Sequence, residues 1–404
     1  MVFPGWVPVR ERAVERGLVV LLLMGFFIQL LGLQVLPSNK LYHQLVQLLF
    51  WLPALLYCIF NPSILRGWLG SLPGALLAFT AWSLLSLLWA GEQAGEAKDI
   101  IYVLLAVNAV LVFAVFYGES AWTALAHTTL WGGFLAWYGI VDFYLVEEHA
   151  INVRILGPGA VDHTILGSHL MGALGVGLFY LRPRLPTGAR TWLWGLALLG
   201  YVAYLLLSKS KGALLALMVC LAFTFVVLYG RRALSLLLVM AGLVVVYVLV
   251  FPEYALRGGF SYRPEAWAAA GRIFLNNPII GVGLNSEYAV KIESLAKPLT
   301  HAHNFYLNML IQLGLVGALL WAGVQLAVLK VAIRNWSSVE GKALLGVMLF
   351  AFVALMTDGK DAWVKPNETW FTAWWPVFMA MMLSLRGANI QSGSLSIKEE
   401  ERVG

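Results

Sequence analysis

RGGFSYRPEAWAAAGRIFLNNPIIGVGLNSEYAVKIESLAKPLTHAHNFYLNMLIQLGLVGALLW, residues Arg257–Trp321, is a long polar insert that runs through His301-Ala302-His303-Asn304 into an apolar helix. Nearly everything around it is lipid-soluble. The 404 residues are 60% hydrophobic and 12% charged, where water-soluble domains carry roughly 25% charged and 45–50% apolar residues. The chain therefore reads as an all-α polytopic membrane protein. Its scaffold holds the polar insert, with its histidine, at the water interface.

Outward from that insert, a spanning helix needs about 20 mostly apolar residues. By that measure about twelve candidates are centred near residues 25, 50, 80, 108, 132, 173, 199, 220, 242, 317, 350 and 377. The predicted organisation is helices 1–9 over 1–251, an extracytoplasmic loop over 252–303, helices 10–12 over 304–386, and a polar, disordered tail over 387–404. Arg10, Arg12 and Arg16 precede the first apolar run with no cleavage pattern after it, as in a retained anchor. With the long loop set aside, lysine and arginine are in excess on the side of the N-terminus. Both termini are thus expected in the cytoplasm and the large loop outside. Trp68, Trp89, Trp122, Trp192, Trp336 and Trp370 fall near predicted helix ends, as an interfacial belt would place them. Cys58 and Cys220 lie in apolar runs and read as small core residues.

The net charge of +6 does not require nucleic acid, because topology-setting loop cations and an anion site both produce it. The outer face keeps cations beside apolar helix ends: Arg154, Lys209 and Lys211, then Arg257, Arg263 and Arg272 in the large loop. Each alone is consistent with snorkelling to lipid headgroups. Several on one face fit a di-anionic ligand such as a pyrophosphate, which arginine grips bidentately. Within the loop, Pro264 and Glu265 open a helix, Trp267, Ala270, Ile273 and Phe274 recur at its spacing, and Asn276-Asn277-Pro278 ends it. That amphipathic helix lies on the membrane or on the bundle. Gly281-Val282-Gly283 makes a tight turn; lacking a strand before it and a third glycine, it is a poor nucleotide loop.

His303 stands where the loop meets the helix, with Thr300 as a candidate cap. The positive end of a helix dipole disfavours imidazolium and favours an anionic ligand. One place then suits both a general base and a phosphate, the plainer reading being an anchoring histidine at the interface. His301 and Asn304 are lower-ranked neighbours. His301 and His303, two apart on a helix, would not face each other, so no metal site is expected. Asp162-His163 and Asp358-Gly359-Lys360-Asp361 lie in other outer loops, where an aspartate either orients a histidine or is simply solvated. Glu265 and Glu287 are lower-ranked acid/base candidates.

His303-Asn304, nine residues, then Gly314-Leu315-Val316-Gly317 resembles the signature of the O-antigen ligase family. SYRPEAW (261–267), NNPIIGVGLN (276–285) and HAHNFYLNMLIQLGLVG (301–317) are similar to its pattern in the same order. The likeness is strong over residues 205–325. The superfamily also holds O-antigen polymerases and protein O-oligosaccharyltransferases. The resemblance implies a GT-C-like, metal-independent glycosyltransferase without cofactor in the inner membrane of a Gram-negative bacterium. Its donor would be a polysaccharide on undecaprenyl pyrophosphate and its acceptor lipid A–core oligosaccharide, met at the periplasmic face. By position, His303 matches the family's essential histidine and Arg263 the arginine before its loop helix. Where many members have Ser-Arg-Gly, this chain has Ser210-Lys211-Gly212, and lysine lacks the planar fork.

On that reading Arg154, Lys211, Arg257 and Arg263 would hold the pyrophosphate as it departs. His303 would take the acceptor hydroxyl proton and the 264–275 helix would act as a lid over a cavity open sideways to the bilayer. Direct attack would invert the anomeric centre. A polymerase would use the same donor with a second lipid-linked repeat as acceptor. A lipid-linked sugar transporter would instead concentrate charge in mid-helix, whereas here the polar groups gather outside.

Overall fold

The computed structural model describes residues 13–91, 97–188, 191–250, 262–293, 295 and 297–385. Apolar runs fold as helices because only a helix or a closed barrel satisfies every backbone group inside lipid. In chain order these are α1 (Ala13–Val35), α2 (Asn39–Phe60), α3 (Ser71–Leu85), α4 (Lys98–Tyr117), α5 (Ser120–Val141), α6 (Thr164–Tyr180), α7 (Thr191–Ser208), α8 (Lys211–Tyr229), α9 (Arg231–Val250), α10 (Arg263–Asn276), α11 (Phe305–Arg334), α12 (Val339–Thr357) and α13 (Trp375–Leu385). Among the described residues eight helices are long and apolar enough to cross a membrane, and α6, α13 and 211–227 of α8 are shorter apolar helices. The described residues form no strand, only an isolated bridge between Val290 and Leu299. The protein is a polytopic helical membrane protein.

An aromatic cluster backs the end of the bundle that carries the 358–369 turn. Phe79 stacks on Trp363 at 5.2 Å, Trp363 meets Trp374 at 4.9 Å, and Trp321 lies between Phe305 (5.5 Å) and Trp374 (5.3 Å). Two of these indoles find partners: Trp363 Nε1 donates to Ser83 Oγ and Trp374 Nε1 to the Ala362 carbonyl. These contacts fix the 358–369 turn against α3, α11 and α13. Two of the tryptophans expected at the lipid interface belong to the protein interior instead. Trp122 and Trp370 are each 2% exposed, because helix-end position alone does not say whether a neighbour covers the ring.

Residues 305–334 are two helices joined at a break. Gly314 has φ +66° and ψ −170°, a backbone shape open to glycine. The groups released there are satisfied by the large loop: Val282 N–H donates to the Ile311 carbonyl (2.9 Å), Gly283 N–H to Gln312 (2.9 Å), Leu315 N–H to Pro278 (2.8 Å) and Val316 N–H to Ile279 (3.2 Å). Trp82 Nε1 takes the Leu313 carbonyl at 3.0 Å. Such a break at membrane depth survives when protein supplies the partners. The GVG segment is thus a plug for a broken helix rather than a free turn.

α10 packs on protein, settling where the loop helix lies. Ala266, Ala269 and Ala270 are buried against Val290, Ile292, Ala302 and Ile311. Its dimensions match the expected span, with Pro264 in the first turn.

Candidate active site

His303 ends the loop two residues before α11. The cap of that helix is Asn304, whose side chain accepts from Tyr306 N–H (3.0 Å) and Leu307 N–H (3.1 Å), not Thr300 as the spacing suggested. This leaves His303 outside the helix at φ +48°. A non-glycine residue in the left-handed region costs roughly 1–3 kcal/mol and persists where surroundings enforce it. The turn aims the ring at α12: His303 Nδ1 lies 3.1 Å from Asp358 Oδ1. His301 is in the same turn, its Nε2 3.9 Å from that oxygen and its ring 4.1 Å from that of His303. The two histidines do face one another. The expectation that they would not assumed helical spacing, and neither lies in the helix.

Asp358 caps the C-terminal end of α12 with its carboxylate 4% exposed. Burial pushes its pKa up, but the nearby His301 imidazole and the hydrogen bond from His303 outweigh it, so the carboxyl is held well below its ordinary range. An ionised Asp358 can only accept. The neutral ring of His303 therefore carries its hydrogen on Nδ1 and its lone pair on Nε2, the tautomer a general base needs.

A buried polar ladder supports this turn. Asn308 and Gln312, one and two turns along α11 from Asn304, donate to Asp361 Oδ1 at 2.9 and 2.7 Å. Asn308 also donates to the Lys360 carbonyl and accepts from Tyr288 of the loop. One stripe of α11 thus ties the loop, the 358–361 turn and the histidine together.

The cations arrive from three other elements. Arg263, the first residue of α10, donates Nε–H to the Thr357 carbonyl at 2.8 Å and sets Nη2 4.0 Å from Asp358 Oδ2. His303 and Arg263 therefore share one carboxylate. Arg154 donates Nε–H to the Ser208 carbonyl at the end of α7, 2.8 Å away. Partial burial and then the charge of Arg263 lower its pKa, so the two guanidiniums feel each other. Lys211 opens α8 beside Gly212, where a Cβ would stand 2.0 Å from Thr357 Oγ1. That close approach sets the start of α8 against the end of α12. Like charges fixed this way on neighbouring segments, as Arg154 and Arg263 are, suit an anion.

With this geometry in hand, the chain compares closely with known proteins. Residues 194–322 match a family model described as O-antigen ligase. An O-antigen ligase of Pseudomonas aeruginosa is 30% identical over 373 residues, covering 90% of each chain. The chain belongs to the O-antigen ligase family.

For this family member, the structure gathers His303, His301, Arg263 and Asp358, with Lys211 and Arg154 on adjoining helix ends. Asn304 serves as a cap. Arg272, Glu265 and Glu287 are exposed. Arg257 and the 387–404 tail lie outside the described residues. Of the two aspartates left open, Asp358 orients the histidine. His163 instead caps α6, accepting from Leu166 N–H at 3.1 Å, and Asp162 faces Glu368. Missed altogether was His169, fully buried on α6, neither of whose ring nitrogens has a partner among the described residues.

Proposed function

We propose that the protein transfers a polysaccharide from undecaprenyl pyrophosphate to a sugar hydroxyl of lipid A–core, at the periplasmic face of the inner membrane. The observation that carries this reading is the pairing of His303 Nδ1 with the ionised Asp358 at 3.1 Å, with Arg263 on the same carboxylate. The acceptor oxygen attacks the anomeric carbon while the bond to the pyrophosphate oxygen breaks and its electron pair leaves with the phosphate. His303 Nε2 takes the hydroxyl proton, a contribution of roughly 10²–10⁴-fold, and attack opposite the leaving group inverts the centre. Arg263, Arg154 and Lys211 stabilise charge that grows on the diphosphate as the bond breaks, which favours the transition state over the bound donor. The His303–Asp358 pair performs this route without a metal. Two lipid-anchored substrates fit a scaffold of about twelve spans with cytoplasmic termini and a site outside.

Reconstituted protein supplied with lipid-linked polysaccharide and lipid A–core is expected to add mass to the core. Extension of the lipid-linked chain with no change in the core would identify a polymerase instead. His303→Ala is expected to abolish the product at normal protein level; full ligation would remove the base assignment. Arg263→Ala is expected to lose donor binding, and full activity in it would return that side chain to a structural role.

A further inference from the structure

The Asp358 turn offers more than a hydrogen-bond partner. His301 Nε2, His303 Nδ1 and an Asp358 carboxylate oxygen come from two segments of chain, and such ligand atoms all lie within 4.8 Å of one another. Two of the separations are 3.1 and 3.9 Å, both to Asp358 Oδ1. Tetrahedral zinc bonded at about 2.0–2.2 Å places neighbouring ligand atoms about 3.3 Å apart, so the His303–Asp358 pair already fits, the His301–Asp358 pair must close by roughly half an ångström, and rotation of the partly exposed His301 ring brings in the third corner. Two histidines and a carboxylate with an open fourth position are a known zinc ligand set. A second observation points the same way. Asp358 Oδ2 is buried without a hydrogen-bond partner, and the nearest cation, Arg263 Nη2, stands at 4.0 Å. The carboxylate thus retains acceptor capacity on an oxygen that is itself out of reach of water.

We propose that His301, His303 and Asp358 form an inhibitory site for a divalent transition metal of the zinc class. Softer nitrogen ligands favour zinc over magnesium or calcium, which prefer all-oxygen sets. Arg263 and Arg154 oppose a dication, which places this site below a dedicated structural zinc centre in affinity. The inhibition, which rests on the general-base reading above, follows from the tautomer. A metal on His303 displaces the Nδ1 proton, and the neutral ring then carries its hydrogen on Nε2. That nitrogen becomes a donor and can no longer accept the acceptor's proton.

The test uses full-length, tag-free protein in detergent, titrated with Co²⁺ followed by visible absorption and then with Zn²⁺ in competition. One equivalent of tetrahedral Co²⁺ per chain, displaced by Zn²⁺, is expected. His301→Ala, a partly exposed position whose loss leaves the fold intact by size-exclusion and melting controls, is expected to weaken binding by at least about tenfold, as loss of a metal-site contact does. His303→Ala serves as the second variant with the same expectation. No saturable binding, or binding equal in both variants and the parent, overturns the proposal. In the ligation assay Zn²⁺ is expected to inhibit and EDTA to restore activity. Binding at these residues with ligation unimpaired would overturn the inhibition and with it the general-base role, while leaving the metal site demonstrated.

Discussion

Replacing Asp358 with asparagine preserves the side chain's size and removes its charge. In the parent, the carboxylate accepts from His303 Nδ1 at 3.1 Å and from the Gly359 N–H at 2.9 Å. An amide either donates towards Nδ1, which selects the wrong tautomer, or accepts weakly through its oxygen. A hydrogen bond to a charged group is worth about 1.5–3 kcal/mol. At 1.36 kcal/mol per tenfold in rate, the loss is roughly 10- to 150-fold in kcat. The ceiling is the whole contribution of the base, so the variant should be no slower than His303→Ala. The assay is single-turnover ligation in nanodiscs at saturating donor, with protein amount and melting midpoint as controls. The pair acts as one unit, so His303→Ala/Asp358→Asn should match His303→Ala alone. An Asp358→Asn rate within twofold of the parent would refute the reasoning, as would a further tenfold fall in the double variant.

Arg154→Gln removes a guanidinium that Arg263 already disfavours; donor KM should rise about tenfold, as expected of a charge-assisted contact, and an unchanged KM would remove Arg154 from the anion site. Gly314→Ala would place a Cβ 2.2 Å from the Ile279 carbonyl oxygen at φ +66°; the 278–284 segment should detach and become a site of rapid limited proteolysis, whereas a parent-like digest would show that the plug tolerates it. Glu368 is 4% exposed, and burial, with a smaller push from Asp162, raises its pKa from 4.5 to about 7. A raised carboxyl keeps its proton longer in the folded state than in the unfolded one, so stability falls as pH climbs from about 4.5 to about 7, by about 3 kcal/mol. Glu368→Gln should therefore melt increasingly higher than the parent between pH 5 and pH 8, and a pH-independent difference would contradict that origin.

The helical bundle was legible because lipid imposes one solution on apolar runs, and α10 because proline, glutamate and a helical apolar period agree on its ends. His303 was legible as a polar group stranded between loop and helix. Its partner was not, since Asp358 follows 55 residues later and an outer-loop aspartate looks alike whether solvated or buried. Treating His301 and His303 as helical hid their contact; Asn304 is the competing cap that ends the helix one residue beyond them. The break at Gly314 left no trace in composition, because apolar residues flank it on both sides. What distinguishes it is a set of backbone partners from residues 278–283, and backbone partnership between distant segments has no side-chain signature to read.

That break has a consequence for how the molecule can move. The four main-chain bonds between 278–283 and 311–316 rivet the middle of the large loop to the bundle. At about 0.5–1.5 kcal/mol apiece, more where water cannot replace them, they make this stretch the stationary part of any opening. Any opening must then come from the chain on either side of the rivet, while His303, held just ahead of the same broken helix by its Asn304 cap, keeps its aim.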